Sequence, residues 1–141
     1  MPKILVTGAA GFIGGCVVNR FASSHQVYAV SRCCDGKSNS SVEWIQADLA
    51  TIDCQTQLPH DIDYVIHLAQ SKQYRDFPSG SVDMRRVNID STCKLLEWAR
   101  KSRVKHFIFT STADVYQRST VLLTEIQPVV PDSFYAASKL S

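Results

Sequence analysis

The chain has 141 residues, a length typical of one domain with its own hydrophobic core. Charged residues make up 20% and hydrophobic residues 45%, and the net charge is +2, as in an ordinary globular protein. This balance excludes a polyelectrolyte that binds nucleic acid through charge. No apolar run approaches the ~20 residues of a membrane-spanning helix, so we expect a soluble protein that binds neither nucleic acid nor membrane.

The five cysteines indicate a reducing compartment. They are odd in number, none forms a CxxC pair, and no signal peptide precedes them, so a disulfide framework is not expected. The adjacent Cys33 and Cys34 suggest either a redox switch or, more simply, a loop position. No histidine has a partner at metal-ligand spacing. We therefore predict a cytoplasmic protein without a metal site.

Strand-like and helix-like segments alternate along the chain. Apolar runs predict five strands, at residues 3–7, 26–31, 42–46, 63–69 and 105–110. Apolar residues at helical spacing predict helices over 11–22 and 82–101, and Pro128 and Pro131 precede a third that starts near Ser133. Such alternation implies parallel pairing through right-handed crossovers. The predicted fold class is therefore α/β, a Rossmann-like doubly wound parallel sheet.

Three glycines follow the first predicted strand, at positions 8, 11 and 14. In a strand-turn-helix context, Gly8 allows the tight turn, Gly11 lets backbone amides approach a pyrophosphate, and Gly14 allows close packing of helix on strand. The amides and dipole at the helix N-terminus attract phosphate without a charged side chain. This segment predicts a dinucleotide-binding turn.

The end of the second strand decides which dinucleotide is bound. An acidic residue there would bind the adenosine ribose hydroxyls, whereas an arginine would accept a 2′-phosphate. The chain has Ser31-Arg32 at this point, and the nearest downstream carboxylate, Asp35, lies in the following loop. A hydroxyl and a guanidinium suit a phosphate dianion, which favours NADP(H) over NAD(H). In the alternative, Arg32 is solvated and Asp35 reaches back to the ribose.

Near the end of the chain, Tyr135 and Lys139 are spaced i and i+4, so a helix places both side chains on one face. Hydroxyl residues 110–112 end the fifth strand, at the sheet edge where parallel sheets bind ligands. The Lys139 ammonium, together with an oxidised nicotinamide, is expected to lower the pKa of the Tyr135 phenol. Tyr135 would then exchange a proton with a substrate alcohol or carbonyl as hydride is transferred.

The glycine turn, the hydroxyl residues at the end of the fifth strand and the Tyr135-Lys139 pair follow one another along the chain. With these segments in this order, the chain resembles the extended short-chain dehydrogenase/reductases, specifically the NAD-dependent epimerase/dehydratase family that acts on nucleotide sugars. The resemblance runs from Lys3 to Lys139. Four further segments support it: Ala47-Asp48-Leu49, the fourth-strand run 63–69, the Asn-containing helical run 87–92 with Leu95-Leu96-Glu97, and residues 112–116, which end in Val-Tyr.

The resemblance implies a cofactor, either NADP or NAD, and a small-molecule substrate, a nucleotide sugar. It implies Tyr135 as acid/base, Lys139 as its partner, Thr112 as the catalytic hydroxyl with Ser111 as the alternative, and Asn88 as a support from its helix. In simpler alternatives, Asn88 bonds its own helix backbone, Asp48 caps the next turn and His67 is a satisfied sheet histidine. The predicted cofactor contacts are Gly8, Ala10, Gly11, Phe12, Ile13, Gly14, Ser31, Arg32, Asp48, Leu49, Leu68, Ala69, Tyr135 and Lys139.

Three positions depart from the family pattern: Gln70 replaces a usual alanine, while Ser91 and Gln117 replace usual glycines. Family members also continue into further strands and a substrate domain. We therefore expect residues 1–141 to be an incomplete NAD(P)-binding Rossmann domain without the substrate domain. The alternatives are a non-catalytic dinucleotide-binding or interaction module, and a homodimer in which two chains complete each other's sheet. The fifth strand is expected to be an exposed apolar edge.

Overall fold

The computed structural model describes residues 1–33, 38–120 and 122–141. Its centre is a five-stranded parallel sheet with the strand order β3-β2-β1-β4-β5. The first three strands have the predicted bounds, and the last two are shorter than predicted. The strands are β1 (Lys3–Thr7), β2 (Gln26–Ser31), β3 (Val42–Gln46), β4 (Tyr64–His67) and β5 (His106–Phe109).

Helices cover both faces of the sheet, which confirms the Rossmann-like doubly wound fold. One face packs Val6, Val27 and Ile66 against Val18, and the other packs Leu5 and Val65 against Leu95 and Trp98. Alternate strand residues thus enter opposite cores, as in a sheet that is buried on both sides. The helices are α1 (Phe12–Phe21), α2 (Cys54–Gln57), α3 (Ser81–Met84), α4 (Ser91–Lys101) and α5 (Phe134–Leu140).

The predicted single helix over 82–101 has a different internal structure. A π-helical turn, Arg85–Asp90, separates α3 from α4, and the chain stays helical throughout. One face of α4 is buried, and Ser91, Leu95 and Trp98 on this face are fully buried. The π turn places Asn88 in the interior as well, at 2% exposure. Such turns occur frequently at functional sites.

The apolar residues of α1 are less buried than their helical spacing suggests. Gly14 and Val18 are the buried residues of this helix, whereas Phe12 and Ile13 at its start are 93% and 59% exposed. These two side chains flank the glycine turn, at the open carboxyl end of the sheet. Their exposure leaves the first turn of α1 accessible to a ligand.

Two sequence expectations concern residues outside the described ranges, namely Asp35 as a ribose ligand and Cys34 as a partner of Cys33. Within the described ranges, Cys16, Cys33, Cys54 and Cys93 are free thiols. No helix in those ranges is long and apolar enough to cross a membrane. No group of three or more metal-ligating side chains occurs there.

Candidate functional site

The glycine turn packs directly against the end of β4. Gly8 has φ 68°, a conformation that glycine adopts without strain, and a Cβ added there would lie 2.9 Å from the Ala69 nitrogen. A Cβ at Gly14 would overlap the Gly8 carbonyl oxygen. Both positions therefore require glycine, as the sequence predicted for a tight turn and a close helix-strand contact.

The N-terminus of α1 has no side-chain cap. Gly11 is the N-cap residue, and its own amide donates to the Gly8 carbonyl oxygen at 2.9 Å. Ala10, Gly11, Phe12 and Ile13 are all exposed around this helix start. Uncapped amides at the positive end of a ten-residue helix form a suitable site for a phosphate group.

At the end of β2, Ser31 and Arg32 are held mainly through local hydrogen bonds. The Ser31 hydroxyl accepts from the Cys33 amide at 3.3 Å, and the Arg32 carbonyl accepts from Nε2 of Gln46 at 3.2 Å. The Arg32 side chain is exposed, and no carboxylate in the described ranges forms an ion pair with it. A guanidinium at this strand end is therefore available for a phosphate.

Asp48 and Leu49, two further predicted cofactor contacts, have mainly structural contacts. Oδ1 of Asp48 accepts from the Ala50 amide at 3.0 Å, so Asp48 does cap the next turn, as the simpler alternative proposed. Leu49 is buried at 6% exposure and packs in the core that contains Trp98. Asp48 itself remains exposed at the carboxyl end of β3. Its role as a cofactor contact stays a prediction.

Helix α5 positions Tyr135 and Lys139 as the sequence predicted, on one short helix. Ser133 caps it by accepting from the Ala136 amide at 3.1 Å. The Tyr135 hydroxyl donates to Oε1 of Gln70 at 2.8 Å, and its ring lies 5.3 Å from the Tyr74 ring. The residues after β4 therefore contact the acid/base candidate directly.

Without a cofactor the pKa of Tyr135 is raised, and the lowering expected from Lys139 together with an oxidised nicotinamide stays a prediction. Burial raises the pKa of the phenol, and Asp114 and Tyr74 raise it further. Lys139 is itself only 4% exposed, and its Nζ lies 4.6 Å from the centre of the Phe109 ring. Burial lowers the pKa of Lys139 to about 8. The ammonium therefore faces an aromatic ring, where a cation-π contact partly replaces its hydration.

The candidate catalytic hydroxyls have partners other than Tyr135. Thr112 is the N-cap of the 3₁₀ turn Ala113–Val115; its hydroxyl donates to Oδ2 of Asp114 and accepts from the Asp114 amide, both at 3.3 Å. The Ser111 hydroxyl donates to the Lys139 carbonyl at 3.4 Å. Both hydroxyls lie beyond β5, close to the elements that carry Tyr135 and Lys139. Their contact with a substrate oxygen stays a prediction.

Asn88 connects the π turn to both neighbouring elements of the site. Its Oδ1 accepts from the Ser71 amide at 2.8 Å, and its Nδ2 donates to the Ser138 hydroxyl at 2.8 Å. The Ser138 hydroxyl in turn donates to the Tyr135 carbonyl at 2.7 Å. The alternative, in which Asn88 bonds its own helix backbone, is not what the structure shows. Asn88 thus joins the loop after β4 to α5 from its own helix. Its support of a catalytic site stays a prediction.

His67, at the end of β4, forms a second buried link, which connects Thr7 on β1 to Thr92 on α4. The Thr92 hydroxyl donates to the Asn88 carbonyl at 2.7 Å, so its oxygen accepts from Nε2 of His67 at 2.9 Å. Nδ1 therefore accepts from the Thr7 hydroxyl at 2.6 Å, and Thr7 accepts from the Ala69 amide. Burial and the Lys139 charge lower the pKa of His67 to about 4. The ring is a satisfied, neutral sheet histidine.

Comparison with known proteins identifies the family to which these features belong. The family model described as NAD dependent epimerase/dehydratase family matches residues 4–141. The chain belongs to this family. A UDP-glucose 4-epimerase of Klebsiella pneumoniae is 30% identical over 127 residues, which cover 81% of this chain and 91% of that protein. A putative UDP-glucose 4-epimerase of Methanocaldococcus jannaschii is 30% identical over 96% of this chain and 47% of its own length.

This epimerase/dehydratase family member is also similar to solved structures of enzymes that act on nucleotide sugars. A UDP-N-acetylglucosamine 4-epimerase from Methanobrevibacter ruminantium, in complex with UDP-N-acetylmuramic acid, superposes with TM-score 0.86 and 28% identity. A UDP-glucuronic acid 4-epimerase from Bacillus cereus, in complex with NAD, superposes with TM-score 0.82 and 30% identity. These alignments cover 99% and 98% of this chain but 47% and 48% of those proteins.

In this family member, residues 68–70 connect two of the predicted site segments, the glycine turn and the helix that carries Tyr135. Gly8 lies against the Leu68-Ala69 backbone, and the next residue, Gln70, contacts Tyr135. Gln70 departs from the family pattern, and its contact with the phenol was not predicted from the sequence. No local pattern could have revealed it, because Gln70 and Tyr135 are 65 positions apart.

Proposed function

We propose that the chain provides the NAD(P)-binding part of an oxidoreductase of the nucleotide-sugar epimerase, dehydratase or reductase type. The proposal rests on the series of contacts that connects the glycine turn to the Tyr135 phenol. Gly8 packs on Ala69, and Gln70 bonds Tyr135, so a dinucleotide lying along this edge extends from the α1 N-terminus toward Tyr135 and Lys139.

In this proposal, the backbone amides at the start of α1 hold the pyrophosphate, and Asp48 and Leu49 lie on the adenine side. Lys139 binds the nicotinamide ribose, Leu68 and Ala69 line the cofactor cleft, and Thr112 or Ser111 orients the substrate oxygen. Tyr135 exchanges the proton with that oxygen. The bound nicotinamide would accept or donate hydride. The substrate is a nucleotide sugar, as UDP-sugar ligands in related structures support.

The cofactor preference rests on Arg32. Its exposed guanidinium favours the 2′-phosphate of NADP(H), while the bound NAD of related structures favours the unphosphorylated form. A charge-assisted contact of ~1.5–3 kcal/mol corresponds to a preference of about tenfold or more. The decisive experiment is a calorimetric titration of the chain with NADPH and with NADH, at one ionic strength.

We expect NADPH to bind more tightly, and Arg32→Ala to remove this preference while leaving NADH affinity unchanged. Arg20→Ala, which removes an exposed arginine from the far end of α1, is the matched control and should retain the preference. Tighter binding of NADH by the wild-type chain would contradict the role of Arg32. No binding of either cofactor by a chain that is folded by circular dichroism would contradict the cofactor proposal itself.

A second candidate is a dinucleotide-binding module without catalysis. Two features of Tyr135 favour this candidate: its phenol is hydrogen-bonded to Gln70, and the pKa of the phenol is raised. Incubation with a UDP-sugar and cofactor, followed by chromatography of the sugar products, separates the two candidates. Product formation that Tyr135→Phe abolishes supports the enzyme; cofactor binding without product supports the module.

A further inference from the structure

Within the part of the chain that the structure describes, the Tyr135 phenol donates its hydrogen bond to the side-chain oxygen of Gln70. The distance is 2.8 Å, within the normal range for an O–H donor. Gln70 directly follows the Leu68-Ala69 segment, which packs on Gly8. The bond therefore joins the segment beside the predicted cofactor turn to the proposed acid/base residue.

A phenol has one proton to donate and oxygen lone pairs with which to accept. While Oε1 of Gln70 accepts that proton, a substrate carbonyl cannot receive it. A substrate oxygen that takes the proton from Tyr135 must therefore replace Gln70. Because Gln70 is exposed at the end of β4, its side chain has room to turn away when a ligand enters.

We propose that Gln70 is a positioning residue that acts through Tyr135: its amide oxygen holds the phenol in the protonated, proton-donating form until a substrate oxygen replaces it. This inference rests on the acid/base role proposed above for Tyr135. It assigns a task to a residue that departs from the usual alanine of the family pattern.

The charged and titratable groups near the phenol either raise its pKa, as we expect Gln70 to do, or have their contacts elsewhere. Tyr74 packs on the ring, and Asp114 belongs to the 3₁₀ turn; the negative charge of Asp114 and the Tyr74 phenol both raise the pKa of Tyr135. Lys139, one turn further along α5, lies over Phe109. A neutral acceptor such as Oε1 stabilises the protonated phenol and disfavours phenolate. Gln70 thus favours the protonated phenol, as Tyr74 and Asp114 also do.

The opposite orientation of the Gln70 amide would have the opposite effect on the pKa of Tyr135. If Nε2 faced the phenol oxygen, it would donate to phenolate and lower the pKa of Tyr135. Gln70→Met removes the amide at similar length, so the sign of the change distinguishes the two orientations. Gln70→Glu retains the shape and adds a negative charge, which disfavours phenolate strongly.

The experiment is a pH titration of the tyrosine Cζ resonances by ¹³C NMR in the full chain without cofactor. Tyr135→Phe identifies the resonance among the five tyrosines. We expect Gln70→Met to lower the pKa of Tyr135 by about half a unit to one unit, the equivalent of one hydrogen bond. Gln70→Glu should raise it by about one unit or more. Gln73→Met, an exposed glutamine of the same loop, should leave it unchanged.

An unchanged or raised pKa in Gln70→Met would overturn the proposal. Circular dichroism at each pH checks that every variant stays folded, and a ring-fluorinated tyrosine at position 135 lowers the titration range if alkali unfolds the chain. Because no cofactor is needed, the result is independent of the proposed function. A lowered pKa in Gln70→Met from a chain that binds neither NADH nor NADPH would confirm the control of the phenol by Gln70 and contradict the enzymatic role.

Discussion

At the scale of single residues, His67 shows how a polar group is tolerated in the centre of the sheet. The ring is completely buried, yet both nitrogens have hydroxyl partners, Thr7 and Thr92. A buried polar group that lacked them would destabilise the fold by a few kcal/mol. The arrangement satisfies the neutral ring only, because one nitrogen must accept a proton from Thr7. Protonation of His67 is therefore costly in the folded state.

This cost predicts a loss of stability in acid. The folded chain keeps His67 neutral until its pKa of about 4, whereas an unfolded histidine binds a proton near 6.5. Between these values the unfolded state binds more protons, so the free energy of unfolding falls as pH falls from 6.5 toward 4. Urea titrations should show that His67 contributes roughly 2 kcal/mol to the loss between about pH 7 and about pH 5.

His67→Gln removes this titration, so the fall in stability with pH should become smaller by that amount. The exposed His106→Gln is the matched control and should retain the fall of the wild-type chain. Equal pH dependence in all three proteins would show that His67 takes up its proton as easily in the folded chain as in the unfolded one.

At the scale of elements, α5 depends on its neighbours because seven residues are too few for a stable isolated helix. The Asn88 side chain, 2% exposed, donates to the Ser138 hydroxyl on α5, and Phe77 packs near Phe134 with ring centres 5.5 Å apart. The π turn and the loop after β4 thus position Tyr135 and Lys139. Contacts from other elements, rather than helix propensity, determine where this helix lies.

We expect Asn88 and Ser138 to be energetically coupled. Asn88→Ala and Ser138→Ala should each lower the free energy of unfolding, and the double variant should lose less than the sum, with a coupling of about 1 kcal/mol. Amide hydrogen exchange in α5 should accelerate in each single variant. Ser133→Ala, which removes the helix cap, should accelerate exchange without coupling to Asn88. Strictly additive losses for Asn88 and Ser138 would contradict the link.

The same elements show how far sequence reasoning reaches. β1, β2 and β3 were predicted to the residue because their apolar runs end at glycines, serines or a polar loop. The π turn was not predicted, since helical periodicity is the same on both sides of it. Helix α2, four residues long, also leaves no periodic signal. Short and irregular elements depend on contacts that only the folded chain contains.

The candidate site shows the same difference between local sequence patterns, which could be predicted, and tertiary contacts, which could not. The glycine turn and the Tyr135-Lys139 pair are local patterns, and the sequence predicted both. The raised pKa of Tyr135 was missed because burial, Asp114 and Tyr74 arise from tertiary packing. The Gln70 contact was missed for the same reason. Sequence spacing thus identified the reactive groups, whereas their protonation depends on neighbours distant in the chain.

At the scale of the whole molecule, the sheet has an apolar edge at β5, as the sequence predicted. β5 pairs with β4 on one side, and Ile108 on this strand is 55% exposed. An exposed strand edge with apolar side chains is a template for pairing with another chain. We therefore expect the 141-residue chain to self-associate with rising concentration in sedimentation velocity experiments.

A lysine on the edge strand should prevent this association, because pairing would bury its charge between two chains. Ile108→Lys is thus expected to remain monomeric at concentrations where the wild-type chain dimerises. Ile126→Lys makes the same chemical change at a 93% exposed residue outside any strand, and it should associate like the wild type. If Ile126→Lys also abolished association, general charge rather than the β5 edge would control it; if the wild type stayed monomeric throughout, the edge would be protected by its own short length of four residues.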